Sequence, residues 1–427
     1  MNDRAVSLLD QYEIEVAGTR KGRGAILCDT DRGTLIFKEY AGSPQHLRVQ
    51  DRLLRTIAQK GLVEAEQLLP TKEGEFSVKD HDGISYILKT YREGRECNIR
   101  EPEECLAAVR QLAKLHLSTQ EGLISGPGEE RRKTSDGTHG DQDTDLLVTE
   151  AGESFQGAEV ALEKSKKPSK EGWENCPGAV NDTEAKQEDP AGGENAEKEE
   201  EDPAGGENAE KEEEDPAGTE NAVRKEEQEA ELPPANVMAE YEKRNRELRR
   251  IRKFLLGRSQ KTWFEISLLG CFDQFYDQAR EAQEGWKAYQ NAARREDRLA
   301  YCHGDYQYHN ILLDQKNWYL INFERCIKDD PVRDLHLLLR KLLEKSGWSA
   351  QLGEKLLREY ERIRSLSAIS RIDLYYRLSY PEKFWKIANF YYNSGKAWIP
   401  GKNLEKLEKL LSQETEKKAF LETVFRV

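Results

Sequence analysis

The residues with the clearest chemical spacing lie in Tyr301-Cys302-His303-Gly304-Asp305-Tyr306-Gln307-Tyr308-His309-Asn310, which leads into the apolar run Ile311-Leu312-Leu313. A His-Gly-Asp with an Asn five residues after the Asp suits phosphoryl transfer. That chemistry needs a cradle for the phosphates, a cation across them, metal ligands, and a carboxylate that orients the acceptor hydroxyl. Asp305 is the candidate catalytic carboxylate. Asn310 is placed to ligate a metal ion from the same loop, and His303 reads as a residue that packs and hydrogen-bonds that loop. Downstream, Ile321-Asn322-Phe323-Glu324 puts an amide where a second metal ligand belongs. Asn322 keeps one oxygen but loses the charge, and hard cations prefer carboxylate oxygens. Glu324 would substitute only through a shifted geometry.

Three further features bear on a nucleotide. Lys38 ends the strand-like Leu35-Ile36-Phe37-Lys38, where a lysine can pair the α- and β-phosphates of ATP. Taken by itself, it reads as a solvated surface lysine; together with the Asp305 loop the two readings stand level. In Gly18-Thr19-Arg20-Lys21-Gly22-Arg23-Gly24, the glycines Gly22 and Gly24 would let the backbone approach phosphates, although a tight basic hairpin explains them as well. An acid on the next helix should pair with Lys38, and between Pro44 and Lys60 the only one is the short Asp51. The implied cofactors are ATP and Mg2+. Asp329 and Asp330 read as shaping the turn before Pro331, and Asp334 as an acid that braces the catalytic-type loop.

These residues need elements to position them. Alternation over Tyr12 to Val16, the apolar run Gly24 to Cys28 and the segment Thr34 to Glu39 predict strands, with a turn at Asp29 to Gly33. Leu47, Val49, Leu53, Leu54 and Ile57 form a helical stripe. Two more strands, Phe76 to Val78 and Ile84 to Tyr91, precede a helix from about Glu101. Later helices are expected over Val237 to Leu256, Trp263 to Asn291, Arg333 to Lys345, Gly353 to Ser365 and Leu374 to Tyr391. This order predicts an α+β fold of two lobes, with strands segregated from helices. The expected division is a β-rich lobe over 1–92, a helical lobe over 93–120 and 237–427, and an insertion over 121–236.

The insertion stands apart in composition. Glu188 to Glu231 carries 19 acidic and 4 basic residues, a net of −15, against −14 for the whole chain. The remainder is close to neutral and has no basic face for nucleic acid. Within it Glu188-Asp189-Pro190-Ala191-Gly192-Gly193-Glu194-Asn195-Ala196 recurs at Glu201 and, imperfectly, at Glu214. A 13-residue repeat this polar has no apolar face to stack, so it is not a solenoid unit. Low hydrophobicity with high charge predicts disorder. The seven cysteines include no CxxC pair and suit a reducing compartment. Met1 to Val16 has no apolar core of a signal peptide, and no run is long enough to span a membrane.

The residues His303, Gly304, Asp305 and Asn310, with Ile321-Asn322-Phe323 in place of an Ile-Asp-Phe or Ile-Asp-Trp, resemble the aminoglycoside-phosphotransferase and choline-kinase branch of the protein-kinase-like fold, over about 12–120 and 237–375. A narrower resemblance rests on Cys302 to Leu312, Asp334 to Trp348, the run Tyr380 to Pro400 and Glu93-Gly94-Arg95-Glu96-Cys97. These look like the CotS family of bacterial spore coat proteins. That resemblance implies a product of the mother-cell cytoplasm laid on the spore coat, with other coat proteins as partners. Three readings follow from it and from the residues: a coat component with little or no activity, an active kinase acting on a sugar, glycan or other small hydroxylated coat substrate, and a nucleotide-binding pseudokinase. The C-terminal aromatics from Tyr375 to Trp398 read first as core, and second as an acceptor-pocket wall or docking surface.

Overall fold

The computed structural model describes residues 6–22, 24–120, 231–292, 299–394 and 400–425. All of them fall in one unit, Met1–Gly140 with Glu226–Val427. The insertion expected over 121–236 lies outside the described residues up to 230, as do Arg23, Lys396 and Trp398.

The N-terminal lobe is a sheet of Val16–Gly22 (β1), Ala25–Thr30 (β2), Gly33–Tyr40 (β3), Leu68–Leu69 (β5), Val78–Lys79 (β6) and Ser85–Thr90 (β7), in the order β1-β2-β3-β7-β5 with β6 also on β7. Tyr12 to Val16 is not itself a strand. Ser7–Gln11 forms a short helical turn, Tyr12 bridges to Thr71, and pairing with β2 starts at Val16. The apolar residues of that stretch instead cover the sheet. Leu9 and Tyr12 pack with Ile26, Cys28, Leu35, Phe37, Tyr86 and Leu88.

Because side chains alternate along a strand, that packing sends the intervening residues to the other face. Ile36 pairs with Lys89 and Lys38 with Ile87 across β3 and β7. The two lysines therefore share the inner face. Over the same lobe lies Pro44–Lys60 (α1), begun by the Ser43 side chain accepting from the His46 N–H at 3.2 Å and ended at Gly61 with φ 63°.

The crossover between lobes carries two small sheets. Glu64–Ala65 (β4), Arg95–Glu96 (β8), Ile311–Asp314 (β10) and Asn317–Leu320 (β11) pair in the order β4-β11-β10-β8, and Ala300–Cys302 (β9) pairs with Ile327–Asp329 (β12). Between β9 and β10 sits the loop with His303, Asp305 and Asn310. Around these pack Pro102–Ser118 (α2), Val237–Gly257 (α3), Trp263–Gly270 (α4), Phe272–Ala292 (α5), Val332–Ser346 (α6), Ala350–Glu361 (α7), Ala368–Ser379 (α8), Glu382–Asn393 (α9), Pro400–Leu411 (α10) and Glu414–Phe425 (α11).

Two of the long expected helices are divided. Thr262 and Glu265 form a capping box that starts α4, which ends at Gly270 before α5 begins. Pro381, which has no N–H to donate, separates α8 from α9. One apolar cluster joins Leu53 and Ile57 of α1, Val109 and Leu112 of α2, and Leu335 and Leu339 of α6, so both lobes share a core. A second holds Leu248, Phe272, Phe275 and Phe384. Of the C-terminal aromatics, Tyr380 and Phe384 are core, Tyr375, Tyr376, Trp385 and Tyr391 pack partly buried against the two clusters, and Phe390 and Tyr392 are exposed. Among the described residues no helix is long and apolar enough to cross a membrane.

The described residues on either side of 121–230 meet the same two-stranded sheet. Gln120 bridges to Ala300 of β9, and Pro234 bridges to Lys328 of β12, its paired neighbour. Replacing residues 126–230 with a short Gly-Ser linker is therefore expected to preserve one cooperative thermal transition, since closure entropy changes only slowly with the length of a connection. Insoluble protein or a broad, non-cooperative melt would contradict this.

Candidate functional site

The loop between β9 and β10 is fixed by backbone demands. Gly304 has φ 78°, and a Cβ there would lie 1.8 Å from the Arg325 carbonyl oxygen, so no side chain fits. Asp334, fully buried on α6, accepts the His303 N–H at 2.6 Å and the Gly304 N–H at 2.9 Å. His303 Nε2 lies 3.0 Å from the Ile321 carbonyl, while its Nδ1 accepts the Asp305 N–H at 3.3 Å. Together these assign the ring proton to Nε2. His303 thus orients the loop, and its buried ring packs at a tilt against Phe323. Burial works against the Asp334 carboxylate, but the His116 imidazole and the loop amides hold its pKa below the ordinary value.

Asp305 remains partly open, with 22% of its side chain exposed. Gln307 Nε2 donates to its Oδ1, and the Arg325 guanidinium stands 3.7 Å from Oδ2. Asn310 Nδ2 donates to the Asp305 carbonyl at 2.8 Å, which turns Asn310 Oδ1 toward Asn322.

Asn322 takes the left-handed backbone conformation, φ 67°, that Asn tolerates better than most residues. Its side chain is held between two partners. Lys89 Nζ, which can only donate, meets Asn322 Oδ1 at 3.1 Å, and Asn322 Nδ2 therefore donates to Asn310 Oδ1 at 2.8 Å. Both amide oxygens expected to ligate metal are engaged within the protein.

Lys89 is the centre of the site. Its side chain is 2% exposed and donates to Glu66 Oε2 at 2.8 Å and Glu324 Oε1 at 2.6 Å, besides Asn322. Glu66 is equally occupied. It also accepts the N–H groups of Asn322 at 2.8 Å and Phe323 at 3.0 Å. Burial disfavours the Lys89 charge, yet Glu66 and then Glu324 outweigh it and raise the pKa. For Glu324, burial pushes upward, and Lys89 and Lys38 overcome it to bring the carboxyl down to about 2.

Glu324 also settles the partner of Lys38. Lys38 Nζ donates to Glu324 Oε1 at 3.0 Å. Asp51 does not serve, because Arg55, one helical turn on, takes its carboxylate at 2.7 Å. Glu324 thus occupies the role sought on α1, and it converges with Asn322 on Lys89. The glycines are divided in use. Gly22 lies within β1 opposite Ala25, and Gly24 has φ 70° in the hairpin turn, so the turn alone accounts for Gly24.

Lys89 and Glu66 were not singled out in the sequence. Lys89 leaves one trace, a lysine two residues after Ile87 on an otherwise apolar strand face, while Glu66 leaves none. Asp329 does more than shape a turn, since it is buried and pairs with Arg333 at 3.0 Å and Arg377 at 3.2 Å.

Removing one partner of a buried ion pair strands the other, so Lys89→Met is expected to lower unfolding free energy by about 3–5 kcal/mol in urea titrations. A loss below about 1 kcal/mol would contradict the assigned contacts. The acid limb follows from Glu324. Its pKa falls on folding from 4.5 to about 2, so its contribution is complete above pH 4.5 and is lost as pH falls toward 2. The stability gap between wild type and Glu324→Gln should therefore narrow across that window; parallel pH profiles would count against it.

Residues 287–424 match the family described as "Spore coat putative kinase YutH". No curated protein matches the chain in sequence. Among solved structures, an aminoglycoside phosphotransferase from Alicyclobacillus acidocaldarius is similar with a TM-score of 0.62 at 16% identity, covering 98% of this chain and 94% of that one. An amicoumacin kinase in complex with AMP-PNP and Ca2+ has a TM-score of 0.52 at 9% identity, over 98% and 94% of the two chains. A spectinomycin phosphotransferase bound to ADP and spectinomycin has a TM-score of 0.51 at 10% identity, over 97% of each. The chain thus has the kinase-like phosphotransferase fold, and its C-terminal region carries the pattern of a spore coat kinase family.

Proposed function

We propose that this protein is a component of the bacterial endospore coat that keeps the frame of a small-molecule kinase and does not transfer phosphate with a divalent metal. The observation that carries this reading is the bond from Lys89 Nζ to Asn322 Oδ1, with Asn322 Nδ2 in turn on Asn310 Oδ1. A magnesium ion asks for open oxygen ligands, carboxylates above all. Here each of the two amide oxygens already accepts a hydrogen bond, and the two carboxylates on Lys89 are each bonded to an ammonium. A divalent ion placed among them would also meet the Lys89 charge, a repulsion of several kcal/mol at an effective dielectric of about 20. The residues present do not fit the metal. The coat assignment rests on the family match over 287–424.

One observation favours a different reading, an active kinase for a small hydroxylated acceptor. Asp305 stays partly exposed, and a pure scaffold has no need of it. The test is transfer of labelled phosphate from ATP, with Mg2+ or Mn2+, to sugars, aminoglycosides and extracted coat material. Wild type is expected to match Asp305→Ala at background. Transfer that disappears in Asp305→Ala would overturn the degenerate reading. A fluorescent fusion in a sporulating host is expected to collect on the forespore surface; a uniform mother-cell signal would count against coat association.

A further inference from the structure

We propose that the site beside Lys38 takes a nucleoside triphosphate as the metal-free anion, with the Lys89 ammonium standing where a divalent cation would otherwise act. The proposal rests on the reading of the cleft as one that does not transfer phosphate, and it adds the form of the ligand.

The first support is that Lys89 is a fixed charge. An ammonium has three hydrogens, and Glu66, Glu324 and Asn322 supply three acceptors, at 2.8, 2.6 and 3.1 Å. With its side chain almost wholly buried, it cannot turn to another partner without breaking one of these bonds. Such a cation is part of the protein, present whether or not metal is.

The second is the different state of Lys38. Among the described residues its hydrogen-bonded partner is Glu324, and 26% of its side chain is exposed. Two of its three hydrogens remain for a ligand. Glu324 Oε1 bridges the two ammonium groups, so it both props Lys38 and ties it to Lys89. Lys38 and Lys89 lie on the same inner face of β3 and β7. One lysine is thus saturated and buried, and the other is anchored with donors to spare. Phosphate oxygens would meet Lys38 directly; Glu66 and Glu324 balance the two ammonium charges, so the attraction is the local one to the remaining Lys38 hydrogens.

The third is the set of acceptors around Asn322. An incoming metal would compete with the Lys89 ammonium for Asn322 Oδ1 and with the Asn322 amide for Asn310 Oδ1, and would stand beside the Lys89 charge. A bare phosphate anion competes for neither oxygen. The site is therefore biased toward the uncomplexed nucleotide over its metal complex.

Calorimetric titration of the full chain with ATP, once in EDTA and once in excess MgCl2, tests this. Binding in EDTA is expected, with affinity in magnesium equal or weaker. Lys38→Met, checked for folding by circular dichroism, is expected to weaken the EDTA binding at least about tenfold. Binding that requires magnesium, or no binding in either buffer, would overturn the proposal, as would unchanged affinity in folded Lys38→Met. An absence of binding leaves the coat reading standing, whereas magnesium-dependent transfer that needs Asp305 would overturn both.

Discussion

Burying an ammonium group away from water costs several kcal/mol unless its hydrogens and its charge are both satisfied. Lys89 meets that condition by drawing in Glu66 from the segment after α1, and Glu324 and Asn322 from the segment before β12. The positions of these groups follow from it. Asn322 must present its oxygen to Lys89, so its amide nitrogen is left for Asn310, whose own nitrogen then holds the Asp305 carbonyl. Glu66 closes the arrangement by accepting the backbone N–H groups of Asn322 and Phe323. A single buried cation therefore sets the side chains from the N-terminal sheet to the catalytic-type loop. Loss of any member leaves a charge or an amide unpaired in a place water does not reach.

The same cation bears on function. A site built for magnesium keeps acidic oxygens open and relies on the ion to neutralise phosphate. In this cleft the carboxylates are neutralised by lysines, and the oxygens nearest the loop are amides already bonded. The loop architecture around Gly304, His303 and Asp334 is meanwhile intact. In the proposed reading the frame is kept and the metal site is not. A coat protein can use the frame for its shape and stability without the reaction.

The sequence was most legible where the chemistry is local. Gly304, Asp305 and Asn310 lie within one short loop, and their spacing pointed to phosphoryl transfer, while the order of strands and helices pointed to the fold. The strands β3 and β7 and the stripe on α1 were equally readable, whereas the alternation over Tyr12 to Val16 did not mark a strand. Legibility failed where partners are distant. Lys89 meets Asn322 and Glu324 across separations of 233 and 235 residues, and no local pattern announces such a pair. Asp51 was a plausible partner for Lys38 by position, but Arg55 lies one turn away and captures it. Helix ends were misplaced where Gly270 and Pro381 interrupt apolar periodicity that otherwise reads as continuous.

The central claim is that a lysine, not a metal ion, occupies the cationic position beside Asn322. Anomalous diffraction from crystals soaked in Mn2+ and ATP examines that position directly. The account predicts no manganese peak within ligand distance of Asn310 or Asn322 and Lys89 still bonded to Asn322. A manganese ion on the Asn322 side-chain oxygen, with Lys89 displaced, would contradict it.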